Sequence, residues 1–216
     1  MKAHKSKTLI VYSFLLLFCS CGLFIDKDCF DSNEYKFYLP FTLSPAQDTF
    51  HINDTIRLRA DFSHELFDSI TLKYYKVENE PLMCYFYFFR IDTTPTPHYT
   101  NQFSIEVDTG NVIISPDPET ALRYIVYEYD KSRYVFSVKF IPHQRGVFLF
   151  GFGSEPQQHV NFQKKCPGEL MDIYFTTNDG VDNNFYMMAQ SPDSSMNAVP
   201  QHGFNRSGSY CFRVVE

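Results

Sequence analysis

The chain has 216 residues, 25 of them acidic and 19 basic, for a formal charge of −6. No basic stripe runs through it, which excludes a nucleic-acid partner, because phosphate binding needs grouped Lys and Arg. The 23 Phe and 15 Tyr, with no Trp, favour strands, and the 12 Pro and 9 Gly supply many turns, so the composition indicates an all-β fold.

The chain opens with a positive head, Lys2, Lys5 and Lys7, followed by the apolar run from Leu9 to Phe18 and then Cys19-Ser20-Cys21. Charged, apolar and small-residue segments in that order form a secretory signal. Ten helical residues reach roughly 15 Å, about half a hydrocarbon core, which argues against a permanent span. Phe18-Cys19-Ser20-Cys21 resembles a bacterial lipobox, with an apolar residue three before the acceptor Cys and a small one just before it. Cys19 has the bulky Phe18 directly before it, so Cys21 is the better acceptor. With Phe in the apolar place the motif is similar to those of Bacteroidota-type cell-envelope lipoproteins. The resemblance implies a signal peptide over 1–20 and acylation of Cys21. It also implies a membrane partner through that anchor, at the outer membrane, on the periplasmic or the surface face. Two or three acyl chains hold a protein durably, whereas one binds only marginally. Taking the three signal lysines from the 19 basic residues leaves 16 against 25 acidic, a formal charge of −9 for the mature chain.

A tether over 21–35 follows, and the folded body is expected over 36–216. Phe37, Leu39 and Phe41 alternate as a strand ending near Pro45, and His51 to Asp54 reads as a turn. Thr55 to Phe62 puts Ile56, Leu58, Ala60 and Phe62 on one face and charges on the other, a half-buried strand. Ser63 to Ser69 reads as a break, and Ile70 to Val77 as the next strand. Leu82 to Ile91 is apolar on both faces, which places it centrally in a sheet. Phe103 to Val107 is expected to pair with Val112 to Ile114. Arg123 to Tyr129 and Tyr134 to Ile141 flank a hairpin turn, and Val147 to Phe152 comes next. Strands at intervals of about eight to twelve residues indicate a sandwich or barrel.

From about residue 153 the texture becomes polar. Met171 to Phe175 is a strand, Asp182 to Gln190 a short helix, and Ser191 to Gly208 loop-rich. Ser209 to Val215 closes the chain as a strand. The ending Gly208-Ser209-Tyr210-Cys211-Phe212-Arg213-Val214 resembles the closing strand of immunoglobulin-like modules in bacterial envelope proteins. The expected fold is therefore an antiparallel immunoglobulin-like β-sandwich, with a C-terminal elaboration holding one short helix.

After Cys21, four cysteines remain, and in an exported chain four allow three disulfide connectivities. Cys166 and Cys211 are expected to be bonded, because both lie in the elaboration, where the apolar pattern is thinnest. Cys84, between bulky apolar neighbours, reads as a buried free thiol, and Cys29 is unassigned. No metal or cofactor is expected: there is no C-x-x-C, His64 is followed four residues on by Asp68 rather than His, and Phe175 and Tyr186 stand where an EF-hand needs oxygen ligands. No G-x-S-x-G elbow occurs.

Tyr74, Tyr85, Tyr87 and Tyr127 are the candidate binding platform, since Tyr offers a flat apolar face plus a hydroxyl. Thr55 and Ser69 follow Asp and precede Ile, resembling the O-glycosylation sequon of Bacteroidota-type exported proteins, which requires both hydroxyls to be exposed. The functional expectation is a non-enzymatic envelope protein, structural or binding a glycan or an envelope protein. The alternative is a polysaccharide hydrolase or an accessory protein of glycan uptake.

Overall fold

A computed structural model describes residues 34–94, 102–115, 122–155, 157–160, 169–181 and 183–216, without the side chains of 157–160 and 169. The strands are β1 (Glu34–Ser44), β2 (Thr49–His51), β3 (Ile56–Ser63), β4 (Glu65–Asp68), β5 (Lys73–Lys76), β6 (Cys84–Arg90), β7 (Phe103–Thr109), β8 (Asn111–Ile114), β9 (Arg123–Val126), β10 (Glu128–Asp130), β11 (Arg133–Pro142), β12 (Gly146–Ser154), β13 (Gln157–Val160), β14 (Glu169–Thr177) and β15 (Tyr210–Val215). They form two sheets. One runs β10-β11-β3-β1-β14-β13, with β4 and β5 attached beside β1 and β7 beside β11, and the other runs β2-β15-β12-β6-β9-β8.

The sheets face each other as an all-β sandwich, and the alternation in the sequence explains which sides meet. Along β1 and β3 every second residue is buried, so Phe37, Leu39 and Phe41 look inward with Ile56, Leu58 and Ala60. Phenylalanines carry most of the contact between layers. Phe41 meets Phe152 with ring centres 4.2 Å apart, Phe86 meets Phe140 at 5.2 Å, and Phe103 stacks on Phe88 at 4.3 Å. Rings at these separations add to the gain from area burial alone. As expected, β6 is interior to its sheet, between β12 and β9.

The structure corrects several local expectations. Ser63–Ser69 is not a break: β4 occupies most of it and pairs antiparallel with β5, so Ile70 to Leu72 is the hairpin turn rather than strand. Strand β8 pairs with β9 in the second sheet, whereas β7 pairs with β11 in the first. The stretch 123–130 divides at Tyr127, giving β9 to one sheet and β10 to the other. Most pairings are antiparallel as expected, but β1 pairs parallel with β14 and β2 parallel with β15.

The C-terminal region is no appendage. β14 lies between β1 and β13, and β15 between β2 and β12. The chain between them covers the second sheet from outside. In place of the single helix expected over 182–190, this cover holds 3-10 turns at Asn178–Gly180 and Phe185–Gln190, followed by α1 (Ser194–Asn197) and α2 (Gln201–Arg206). Met187, Met188 and Phe204 from it pack with Ile91, Val147, Leu149 and Cys211 into a second, smaller core. No helix among the described residues is long and apolar enough to cross a membrane.

Candidate functional site

The four tyrosines of the expected platform do not come together. Tyr74 stands exposed on β5 in the first sheet. Tyr127 sits at the crossing between sheets, its ring against Phe41, Phe62, Tyr134 and Phe136 and its hydroxyl buried. Burial holds that phenol well above its ordinary pKa of 10. Tyr85 and Tyr87 share the outer face of β6, with ring centres 6.4 Å apart.

These last two have a packing role that the local pattern conceals. Gly153 pairs across strands with Tyr85, and Gly151 with Tyr87. The rings lie over the glycines so closely that an added Cβ would come within 2.4 Å of Tyr85 and 2.7 Å of Tyr87. A glycine in a strand removes side-chain packing and marks a close approach, and here the cross-strand ring fills that space. Tyr124 continues the row against Tyr85 at 5.8 Å and donates from its hydroxyl to Glu155 Oε1 at 3.2 Å.

Other candidate residues separate in the same way. Thr55 is exposed, as a glycan acceptor must be, while Ser69 is half-buried and donates its hydroxyl to the Lys36 carbonyl. Cys211 carries a free, buried thiol, so the expected Cys166–Cys211 disulfide is not formed in this structure. Cys211 lies under the apolar cover rather than on an open face, which gives it the small-hydrophobe role expected for Cys84. Cys84 is likewise a free, buried thiol, and burial raises its pKa to about 12. Cys21, Cys29 and Cys166 lie outside the described residues. No group of three His, Cys, Asp or Glu suited to a metal ion occurs among the described residues.

The feature best suited to a ligand is a cleft partly lined by Gly180, Asn183 and Asn184, from a stretch whose many oxygen donors read in the sequence as an Asx-rich turn, or a loose calcium site, rather than as a cleft. Its volume is about 400 Å³, and Gly180, Asn183, Asn184, Phe185, Tyr186, Gln201 and Asn205 line it. The turn carrying Asn183 and Asn184 is pinned to the edge of β15 beyond the end of β2. There Asn183 accepts from the Cys211 amide at 3.0 Å, and the Asn184 side-chain amide donates to the Cys211 carbonyl at 2.8 Å. Asn184 turns the chain with φ +56°, a left-handed conformation that Asn adopts more readily than most residues. Tyr186, on the rim, donates to Asp48 Oδ2 at 2.9 Å, and this bond, with a second from Thr49, holds the Asp48 carboxyl below its ordinary value.

Asn183 is 6% exposed, and neither its side-chain nitrogen nor its oxygen has a hydrogen-bond partner. A buried polar atom left unpaired costs about 1–3 kcal/mol, so such atoms signal a missing partner. Among the described residues, no lining residue carries a charge. Gln201 and Asn205 present exposed carboxamides, Asn183 a buried unpaired one, and Phe185 and Tyr186 offer ring faces. That chemistry suits a neutral ligand rich in hydroxyl or amide groups.

No protein-family model matches the chain, and comparison with curated proteins finds no match.

Proposed function

We propose that the protein is a lipid-anchored envelope module that binds a neutral glycan without catalysing its breakdown, with the amide-lined cleft as the binding site. The observation that carries this reading is the unpaired Asn183 carboxamide in a cleft whose described lining carries no charge, flanked by Phe185 and Tyr186. A carboxamide matches adjacent sugar hydroxyls, donating to one and accepting from the next. An aromatic face receives the apolar side of the ring. A volume of about 400 Å³ is within the range of small-ligand sites.

Affinity electrophoresis through gels containing neutral polysaccharides tests the proposal, with a panel of α-glucan, β-glucan, xylan and mannan. One of these should retard the protein. Gln201→Ala combined with Asn205→Ala, both at exposed positions, should abolish the retardation without changing the melting temperature. Migration unaffected by every polysaccharide, or retardation that survives the double substitution, would refute the site.

A further inference from the structure

We infer that the β4–β5 hairpin dips into the surface of the membrane on which the protein is held, an inference that rests on the acyl anchor at Cys21. Four large apolar side chains project from this hairpin into water. Leu72 and Tyr74 are each 71% exposed, Phe67 is 43% and Ile70 41% exposed. Phe67 and Tyr74 face each other across the two strands, ring centres 5.3 Å apart. Only the opposite side, Leu66 and Tyr75, packs on the body, Tyr75 edge-on to Tyr35 at 4.9 Å. A single exposed apolar residue is ordinary, but a contiguous group marks an interaction surface.

The turn is built to hold these residues out. The Asp68 carboxylate is buried and accepts from the backbone N–H groups of Lys36 at 2.7 Å, Thr71 at 2.8 Å and Ile70 at 3.2 Å, and from the Thr71 hydroxyl at 2.5 Å. Leu72 closes the turn at φ +57°. Gly or Asn takes that conformation more cheaply, and neither would present an apolar side chain.

A bilayer fits this surface because of where the chain enters the body. The hairpin is stitched to the beginning of β1, since Ser69 N–H donates to the Lys36 carbonyl while Lys36 N–H donates to Asp68. Twelve residues lie between Cys21 and Glu34, the first residue of β1, and this tether spans at most about 45 Å. The hairpin thus lies where the tether enters the body. Phe and Tyr suit the boundary between headgroups and acyl chains, and Lys73 can keep its ammonium at headgroup level while its stem lies along apolar neighbours. Among the described strands β5 is a sheet edge, bounded by Lys73 and Lys76, which disfavours extension of the sheet by a second copy.

The absence of tryptophan makes a direct test available. The full-length acylated protein is prepared with Tyr74→Trp, and separately with Ile113→Trp on β8 of the other sheet. Each is reconstituted with vesicles of phosphatidylethanolamine and phosphatidylglycerol, with and without acyl-chain bromination. The Tyr74→Trp indole should shift to the blue and lose emission to the brominated lipid, and the Ile113→Trp indole should do neither. Ile70→Ser with Leu72→Ser, added to Tyr74→Trp, should remove the quenching while the protein still floats with the vesicles. Acylated, floating protein whose two indoles are equally unquenched would overturn the docking alone. An intact mass without acyl chains would overturn the anchor and the docking together. A blue shift that needs no vesicles and grows with protein concentration would assign the hairpin to a second copy and overturn the proposal.

Discussion

Replacing Gly151 by alanine tests whether the outer tyrosines of β6 are a cover for β12 or a free surface. Distances alone rank Gly153 as the less tolerant position, because its added Cβ would lie 2.4 Å from the Tyr85 ring, against 2.7 Å from the Tyr87 hydroxyl at Gly151. The freedom of each ring reverses that order. Tyr87 is packed at 5.0 Å against Phe89, and its hydroxyl lies with those of Ser207 and Ser209. Tyr85 is more open and can swing outward. An alanine stiffens the unfolded chain, a gain of about 0.4–1 kcal/mol where the native backbone accepts it. Overpacking a constrained site costs about 1–3 kcal/mol. Gly151→Ala should therefore destabilise by about 1–2 kcal/mol and Gly153→Ala by roughly zero. At about 2–4 °C per kcal/mol for a domain of this size, Gly151→Ala should lower Tm by roughly 2–8 °C. Urea unfolding followed by circular dichroism measures both variants, and a double-mutant cycle with Tyr87→Ala should show coupling of about 1 kcal/mol. Equal losses at the two glycines, or no coupling to Tyr87, would refute the reasoning.

Asp68→Ala removes a buried acceptor of four hydrogen bonds and should cost about 3 kcal/mol at pH 7, measured by urea unfolding. Burial alone would raise the Asp68 pKa, but the bonds from Thr71, Lys36 and Ile70 outweigh it and hold it below 3.8. Its contribution is then complete above the unfolded pKa and fades as pH falls through the folded one, so the gap between wild type and Asp68→Ala should narrow in acid. A gap that widens below pH 4 would contradict this. Alkylation mapped by mass spectrometry should leave Cys84 and Cys211 unmodified in the native protein and modify both in guanidinium, since burial raises both thiol pKa values. A Cys211 peptide linked to Cys166 under non-reducing conditions would contradict the free thiol.

What the sequence determined by itself was the side of each strand that faces inward. The alternation in β1 and β3 and the apolar faces of β6 mark the core directly, because successive residues of a strand point to opposite faces and burial selects one of them. The all-β sandwich and the buried Cys84 follow from such patterns. Strand partners do not, because pairing is decided between segments far apart in the chain. The parallel match of β1 with β14 joins residues more than 130 positions apart, and nothing local distinguishes it from an antiparallel one. Strand β4 was hidden by its length of four residues and by Asp68, whose buried carboxylate is tolerable only because Lys36, from another strand, helps satisfy it. The tyrosines share a residue type but not a surface: backbone crossings put Tyr127 inside, Tyr74 on a hairpin and Tyr85 and Tyr87 over glycines. The sequence showed a donor-rich turn over 178–184 but not the cleft it helps to line. Asn183 becomes a site only when β15 holds its backbone and the rest of the cover shields its side chain from water, a burial that tertiary packing alone creates.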